Sequence, residues 1–253
     1  VLMNLGYGAL VNGKNVVHYT FELGEETIGL RYDSRITGFP INEIKKYSDV
    51  VAKKLSAFEG GKLIIKEYPI KSASVNTIRF HLNRLRATGF HPDLIIVDYA
   101  DIMKSRKNYE IKRYELESIY EDLRALGQEM KLPIWTASQT NRSAIDEEII
   151  TLGSIAEAYS KAAVSDFIFS LSRKLADKIN NTGRFYIAKN RNGMDGVIIP
   201  LKVNTSIGLI EIEETSEMSQ VKHPAQMSAI ARQDDDLSGQ ILKDRLTSIK
   251  QGN

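Results

Sequence analysis

Three observations predict an α/β fold with a parallel central sheet and helices on both faces. Short β-branched and aromatic runs recur at residues 16–21, 63–67, 94–99 and 134–138, each with the composition of a buried strand. Between them, at about 25–38, 75–88 and 112–131, apolar residues fall three and four apart, which is the spacing of a helix face. Strands alternating with helices of this length build parallel βαβ units. After Asp166 the rhythm changes, and strand-like runs at 167–173, 185–190, 197–203 and 209–212 follow one another without helices. The parallel sheet is therefore expected to be extended by antiparallel strands.

The opening segment from Val1 reads as a helix entered without an initiator methionine, so the chain looks like a fragment. Asn180-Asn181-Thr182-Gly183 and Asn192-Gly193-Met194-Asp195-Gly196 suit the turns of hairpins. Beyond about Glu214 the strand pattern stops and the chain turns polar, with Pro224 and the run Asp234-Asp235-Asp236. Leu237, Ile241, Leu242, Leu246 and Ile249 can still form one apolar helix face. The expected organisation is a domain over 1–214 and a polar tail over 215–253.

Composition narrows the function classes. With 253 residues, 42% hydrophobic and 26% charged, the chain can bury one sizeable core and is neither fibrous nor disordered overall. No apolar run approaches the roughly 20 residues of a membrane span. The start lacks a signal-peptide pattern, and a cytoplasmic setting without membrane association is expected. Zero cysteines exclude disulfides and thiolate metal sites, and His18, His81, His91 and His223 are too scattered for a metal cluster. A net charge of +2 does not announce a nucleic-acid partner, so that question rests on local clusters.

Several strand ends carry polar residues. Leu94-Ile95-Ile96-Val97-Asp98 is an apolar strand ending in a carboxylate, the form of a Walker B segment. Such a strand delivers its acid to the carboxyl edge of the sheet, where ligands bind and where an acid can hold magnesium through water. The plainer alternative is an Asp that caps the next turn. Glu22 closes Tyr19-Thr20-Phe21-Glu22, placed either to polarise a water or to join Glu25 and Glu26 in the acidic first turn of a helix. Gln139, in Thr136-Ala137-Ser138-Gln139, puts an amide on a third strand end. Lys189 and Arg191, in Lys189-Asn190-Arg191-Asn192-Gly193, lie two apart on an extended segment and point the same way. They read either as fingers toward a neighbouring subunit's nucleotide or as a solvated basic hairpin.

In this order the segments resemble the successive motifs of the DnaB-family replicative helicases. Glu67-Tyr68-Pro69, Leu123-Arg124-Ala125-Leu126 and Ile155-Ala156-Glu157 are most similar to the tailed-phage branch. The resemblance covers roughly residues 1–212 and implies a RecA-like, three-layer αβα P-loop NTPase core that uses ATP and Mg2+. It also implies a ring-shaped homo-hexamer around single-stranded DNA, in a bacterial or phage-infected cell, with primase and a helicase loader as partners. By resemblance Glu22 is the catalytic base, Asp98 the magnesium-side acid, Gln139 the sensor, and Lys189 and Arg191 the trans-acting fingers. Other readings are a recombinase or circadian-clock-type ATPase of the same fold, or a binding module that docks on nucleic acid without hydrolysing nucleotide.

Gly8-Ala9-Leu10-Val11-Asn12-Gly13-Lys14-Asn15 has the spacing of a phosphate loop, yet follows a helix, precedes a strand and has Asn15 where a hydroxyl is needed. A helix end at Gly13 explains it better. In the family the true loop lies upstream of the helix that begins here, so the chain alone is expected to hydrolyse ATP weakly. For DNA, the candidates are Lys104, Arg106, Lys107, Lys112 and Arg113, interleaved with Tyr109 and Tyr114 after the Walker B strand. A solvated helix start would look the same. A second candidate spans Arg142 to Lys161, where the resemblance places the DNA-gripping loop around Ala156, Glu157, Ser160 and Lys161. Ala156 stands where many relatives carry arginine.

Overall fold

A computed structural model of the chain describes residues 1–141, 147–155 and 158–212, the side chains of 158–160 excepted. It divides into two compact units. The first comprises Val1–Asn141, Ser154–Ser165 and Val203–Ile210; the second holds Asp166–Lys202 together with 147–153.

In the first unit β1 (Val16–Thr20), β2 (Leu63–Glu67), β3 (Leu94–Asp98) and β4 (Ile134–Thr136) form a parallel sheet ordered β2-β1-β3-β4. All of β1 is buried, as is β3 up to Asp98. These strands are apolar nearly throughout because a parallel sheet covered by helices has no wet face.

Alternate residues feed two cores. On one face Val17, Tyr19, Ile95 and Val97 pack with Ile78 and Leu82 of α4 (Val75–Ala87) and with Ile119, Leu123 and Leu126 of α5 (Lys112–Met130). On the other, Val16, Leu94 and Ile96 pack with Leu10 of α1 (Leu2–Val11) and with Ile28 and Tyr32 of α2 (Glu25–Thr37). The three layers expected from the sequence result. Gly6 of α1 has no room for a side chain, since a Cβ there would meet the Tyr32 hydroxyl at 2.0 Å.

The helices anticipated near 25–38, 75–88 and 112–131 are α2, α4 and α5. Another, α3 (Ser48–Ser56), was not anticipated; it buries only Val51 and so offers no apolar stripe to read. The last helix of this unit, α6, spans Ala158–Val164, and its C-terminal end is held by a hydrogen bond from the Arg124 guanidinium to the Val164 carbonyl.

The antiparallel strands are β5 (Phe167–Ser172), β6 (Thr182–Asn190), β7 (Val197–Asn204) and β8 (Leu209–Ile212), hydrogen-bonded as a second four-stranded sheet in that order. The β6–β7 connection is the hairpin expected from Asn192-Gly193, with Gly196 at φ 74°. The β5–β6 connection differs from expectation. A short helix, α7 (Leu175–Asn180), intervenes, and Asn181, at φ 57°, closes that helix instead of forming a tight hairpin turn. Both turns need a residue with positive φ, and Asn supplies it in either setting. The tail over 215–253 lies outside the described residues.

Candidate functional site

The register of the parallel sheet aligns its strand ends. Thr20 pairs with Glu67 on one side and Asp98 on the other, and the Phe21 amide donates to the Asp98 carbonyl at 2.7 Å. Glu22 follows directly and is exposed. It does not belong to the acidic first turn of α2, which has Gly24 as its N-cap and Glu25 and Glu26 as its acids. Glu25 is engaged elsewhere: its carboxylate accepts from the Glu67 amide at 2.8 Å, while Glu67 accepts from the Glu25 amide at 3.0 Å. The helix cap is thus complete without Glu22.

Asp98 is partly buried, and its carboxyl is pushed above the usual range by that burial and then by the negative charge of Glu22, with Arg31 of α2 opposing. A carboxyl made costly to ionise by burial and by a neighbouring negative charge is a site that a cation or a proton relieves. Among the described residues no cluster of three or more metal-ligating side chains exists. The donors therefore fit a hard divalent ion approached from one carboxylate side through water, and do not fit a protein-enclosed metal.

Gln139 lies beyond β4, exposed, and its amide donates to the Tyr99 hydroxyl at 2.9 Å. The Ala100 amide donates to Thr136 Oγ1 at 2.9 Å. These two bonds clasp the segments that leave β3 and β4, so the predicted acid and the predicted sensor are held on neighbouring strand ends.

Lys161 requires a correction. Expected on DNA, it is only 3% exposed and pairs with Asp101 at 2.7 Å. Its ammonium also donates to Ser138 Oγ at 2.8 Å and sits 5.4 Å from the centre of the Tyr120 ring. Tyr120 donates to the other Asp101 oxygen at 2.7 Å, and burial, then the Asp101 charge, raises its phenol well above the ordinary range. An ammonium taken out of water costs several kcal/mol, and these partners offset that cost. Asp101, Ser138 and Tyr120 were missed in the sequence, although a lysine on a helix otherwise poor in charge is a signal that a buried acid is needed.

The basic loop after β3 lies largely at the surface. Lys104, Lys107, Lys112 and Arg113 are exposed; Arg106 lies 3.3 Å from Asp122 and Lys112 2.8 Å from Glu115. Lys104, Ser105 and Arg106 share an open polar cleft of 290 Å³ with Ser72, Ser74, Asn76 and Thr77 at the start of α4. Arg142 and Glu157 lie outside the described residues, as does the side chain of Ser160.

In the second unit Lys189 closes β6 beside Ile168, and Arg191 follows it. The Arg191 guanidinium pairs with Asp166 at 2.8 Å, and its amide donates to the Asp166 carbonyl at 2.9 Å. The Gly13-Lys14 pair is not a phosphate loop. Gly13 has φ 72° just past the C-terminus of α1, its amide donating to the Leu10 carbonyl at 2.9 Å and that of Lys14 to Ala9 at 3.0 Å.

A parallel sheet covered by helices on both faces, with Asp98 at one strand end and Glu22 two residues past the end of the neighbouring strand, gives the chain a RecA-like α/β fold. The ATPase domain of G40P superposes with a TM-score of 0.72 at 17% identity, covering 84% of this chain and 79% of that one. A DnaB-like replicative helicase, solved to show its interactions with primase, gives 0.68 at 18% identity over 80% of this chain and 51% of that one. The family model of the DnaB-like helicase C-terminal domain matches residues 2–207, and the chain belongs to that family. It is 32% identical over 181 residues to the DnaB-like replicative helicase of Enterobacteria phage T4, covering 67% of this chain. It is 28% identical over 149 residues, 56% of this chain, to the replicative DNA helicase DnaB of Mycobacterium leprae. The chain spans 38% of the phage relative and 24% of the mycobacterial one. Among the described residues no helix is long and apolar enough to cross a membrane.

Proposed function

We propose that the chain is the motor part of a replicative helicase that couples ATP hydrolysis to movement along single-stranded DNA and to strand separation. The placement of Asp98 at the end of β3, with Glu22 two residues past the end of the adjacent β1, carries this reading. Glu22 is the base toward the attacking water, a role that its exposure and independence from the α2 cap allow. Asp98 would hold a magnesium ion through water, and that ion, bound with nucleotide, would supply positive charge against the phosphates. Gln139 reports the nucleotide state to the chain beyond β4. Lys189 and Arg191 serve the nucleotide of a neighbouring copy in a ring of six. Exposed Lys104, Lys107 and Arg113, with Arg106, track the DNA backbone, and Arg142, Glu157 and Ser160 remain in the proposed DNA-contacting segment. Primase and a helicase loader are the expected partners of the whole protein.

Hydrolysis also needs a phosphate-binding loop ahead of a helix N-terminus, and Gly13-Lys14 is not one. The chain alone therefore hydrolyses ATP weakly, whereas the full-length protein is a DNA-stimulated ATPase. The test compares both, with and without oligo(dT), beside Asp98→Ala in the full-length protein. Equal turnover by the two, or a silent Asp98→Ala, overturns the reading. In the coding sequence upstream of Val1, an in-frame glycine-rich Lys-Ser/Thr loop after an apolar strand separates the enzyme from a docking module.

A further inference from the structure

The buried ammonium of Lys161 joins three places that the sequence keeps far apart. It donates to Asp101 at 2.7 Å and to Ser138 at 2.8 Å. Asp101 lies three residues past Asp98, in the 3-10 turn that follows β3, and Ser138 immediately precedes Gln139. Beyond Gln139 the chain departs at Asn141 and returns at Ser154. The two roots of that excursion are joined by the bridge of Thr140 to Ile155 and by the Asn141 amide donating to the Ser154 carbonyl at 2.8 Å. The helix carrying Lys161, α6, begins four residues later, at Ala158.

A buried ion pair is costly to assemble and is often no more stabilising than an apolar pair of equal volume, so its value lies in fixing one arrangement. What it fixes here is the distance between α6 and the two strand ends that carry the acid and the sensor. The pair is held on every side. Tyr120 of α5 donates to Asp101, Ser138 lies within 3.4 Å of the same carboxylate, and Arg124 of α5 holds the far end of α6. A shift of α6 therefore cannot leave Asp101 and Ser138 in place without stranding a charge.

Resting on the helicase reading above, we propose that Lys161 is a positioning residue that couples DNA to nucleotide. Single-stranded DNA held by the segment ahead of α6 moves or steadies that helix, and the Lys161 tie carries the change to Ser138-Gln139 and to the Asp98–Asp101 turn. Lys161 then touches neither DNA nor phosphate. Its effect is on the ratio of DNA-stimulated to DNA-free hydrolysis.

The experiment uses the full-length protein, oligo(dT) as DNA, and ATP hydrolysis measured with and without it. Lys161→Met keeps the length of the side chain and removes its charge; Lys161→Arg returns the charge. The stimulation ratio of Lys161→Met is expected to drop about 5- to 150-fold, the size of ordinary site-to-site couplings, with part recovered in Lys161→Arg. Oligo(dT) affinity and its salt dependence stay at wild-type values. An unchanged ratio, whatever the absolute rates, means a structural strut and overturns the proposal. Weaker oligo(dT) binding with a shallower salt slope means direct DNA contact and overturns it too. Should thermal melting show that Lys161→Met does not fold, Asp101→Asn carries the same expectation, since it keeps the shape and loses the charge. A wild type without any DNA-stimulated hydrolysis fails the helicase reading, and the coupling with it, whereas normal wild-type stimulation with an unaffected variant fails the coupling alone.

Discussion

The two units of the chain use their strands in opposite ways. In the first, β1 is buried throughout and β3 up to Asp98, the two hydrogen-bonded in register, and apart from His18 and Tyr19 their polar residues stand at the strand ends. In the second, most residues of β5 and β6 are partly exposed along their whole length, and the cations Lys189 and Arg191 sit at a strand end beside a hairpin. A sheet covered on both faces fixes the relative positions of Glu22 and Asp98 as firmly as its own core. A half-wet hairpin fixes where its cations start and leaves them long side chains with which to reach. Under the proposed function this difference becomes a division of labour: the first unit would pre-set a geometry, and the second would supply groups that act by extension.

The widest test of that division is Arg191→Ala. If the hairpin cation acts on another copy's nucleotide, hydrolysis by the assembled full-length protein falls about 10³- to 10⁵-fold. Adding a copy that carries Glu22→Gln but an intact Arg191 then restores part of the rate, measured as turnover in mixed assemblies. A loss that mixing never restores would place Arg191 in its own subunit's structure, and its pairing with Asp166 would be the reason.

Next in size, Glu22→Gln in the full-length protein lowers hydrolysis about 10²- to 10⁴-fold, the usual worth of a positioned base. Nucleotide binding, read by a fluorescent analogue, stays intact. Were binding lost in step with turnover, Glu22 would be holding the ligand and not activating water.

Stability separates the units again. Ile95→Ala removes a fully buried side chain from the parallel sheet and costs about 2–5 kcal/mol. Ile198→Ala, on the partly exposed β7, removes the same atoms and costs about half of that or less. Chemical denaturation of both variants measures the two values, and equal costs would erase the distinction between a dry and a half-wet sheet.

The last test concerns pH. His18 is fully buried in β1, bonded through Nδ1 to the Tyr32 hydroxyl at 3.0 Å, with no hydrogen-bond partner for Nε2 among the described residues. Burial lowers its pKa to about 4. The unfolded chain takes up this proton near pH 6.5 and the folded chain does not, so stability falls as pH drops from about 6.5 and levels off below about 4. The full loss is about 3 kcal/mol. Asp98, raised in the fold, works in the opposite sense, since it binds its proton more readily folded than unfolded. Denaturation midpoints across this range for wild type and His18→Gln isolate the histidine share; parallel profiles would show that His18 is not the cause.

Much of this was legible in the chain, for physical reasons. Buried parallel strands must be apolar throughout, so 94–98 announced itself, and a carboxylate at the end of such a run has few explanations. The false phosphate loop was recognisable because Gly13 follows a helix and precedes a strand, where a left-handed helix end is needed. Three helices were not legible. Ala158–Val164, seven residues long, is too short to show a stripe. Ser48–Ser56 buries only Val51 and has no stripe, and Leu175–Asn180 ends in an asparagine pair that suits a hairpin equally well. Least legible was the partnership of Lys161 with Asp101, 60 positions apart. Sequence shows where a charge is, and only packing shows whether it meets water or another charge.

The bridge between Thr140 and Ile155 has a consequence for how the domain can vary. Because the chain ends at that bridge are already brought together, the entropy of closing the loop is spent once. Each doubling of the intervening length adds only about 0.6 kcal/mol. A change of length next to Arg142 is then cheap, whereas Glu148 and Ile150 are tied down by Arg184, Ser172 and Ser170. The loop can grow or shrink at that one place without disturbing Gln139 at its root.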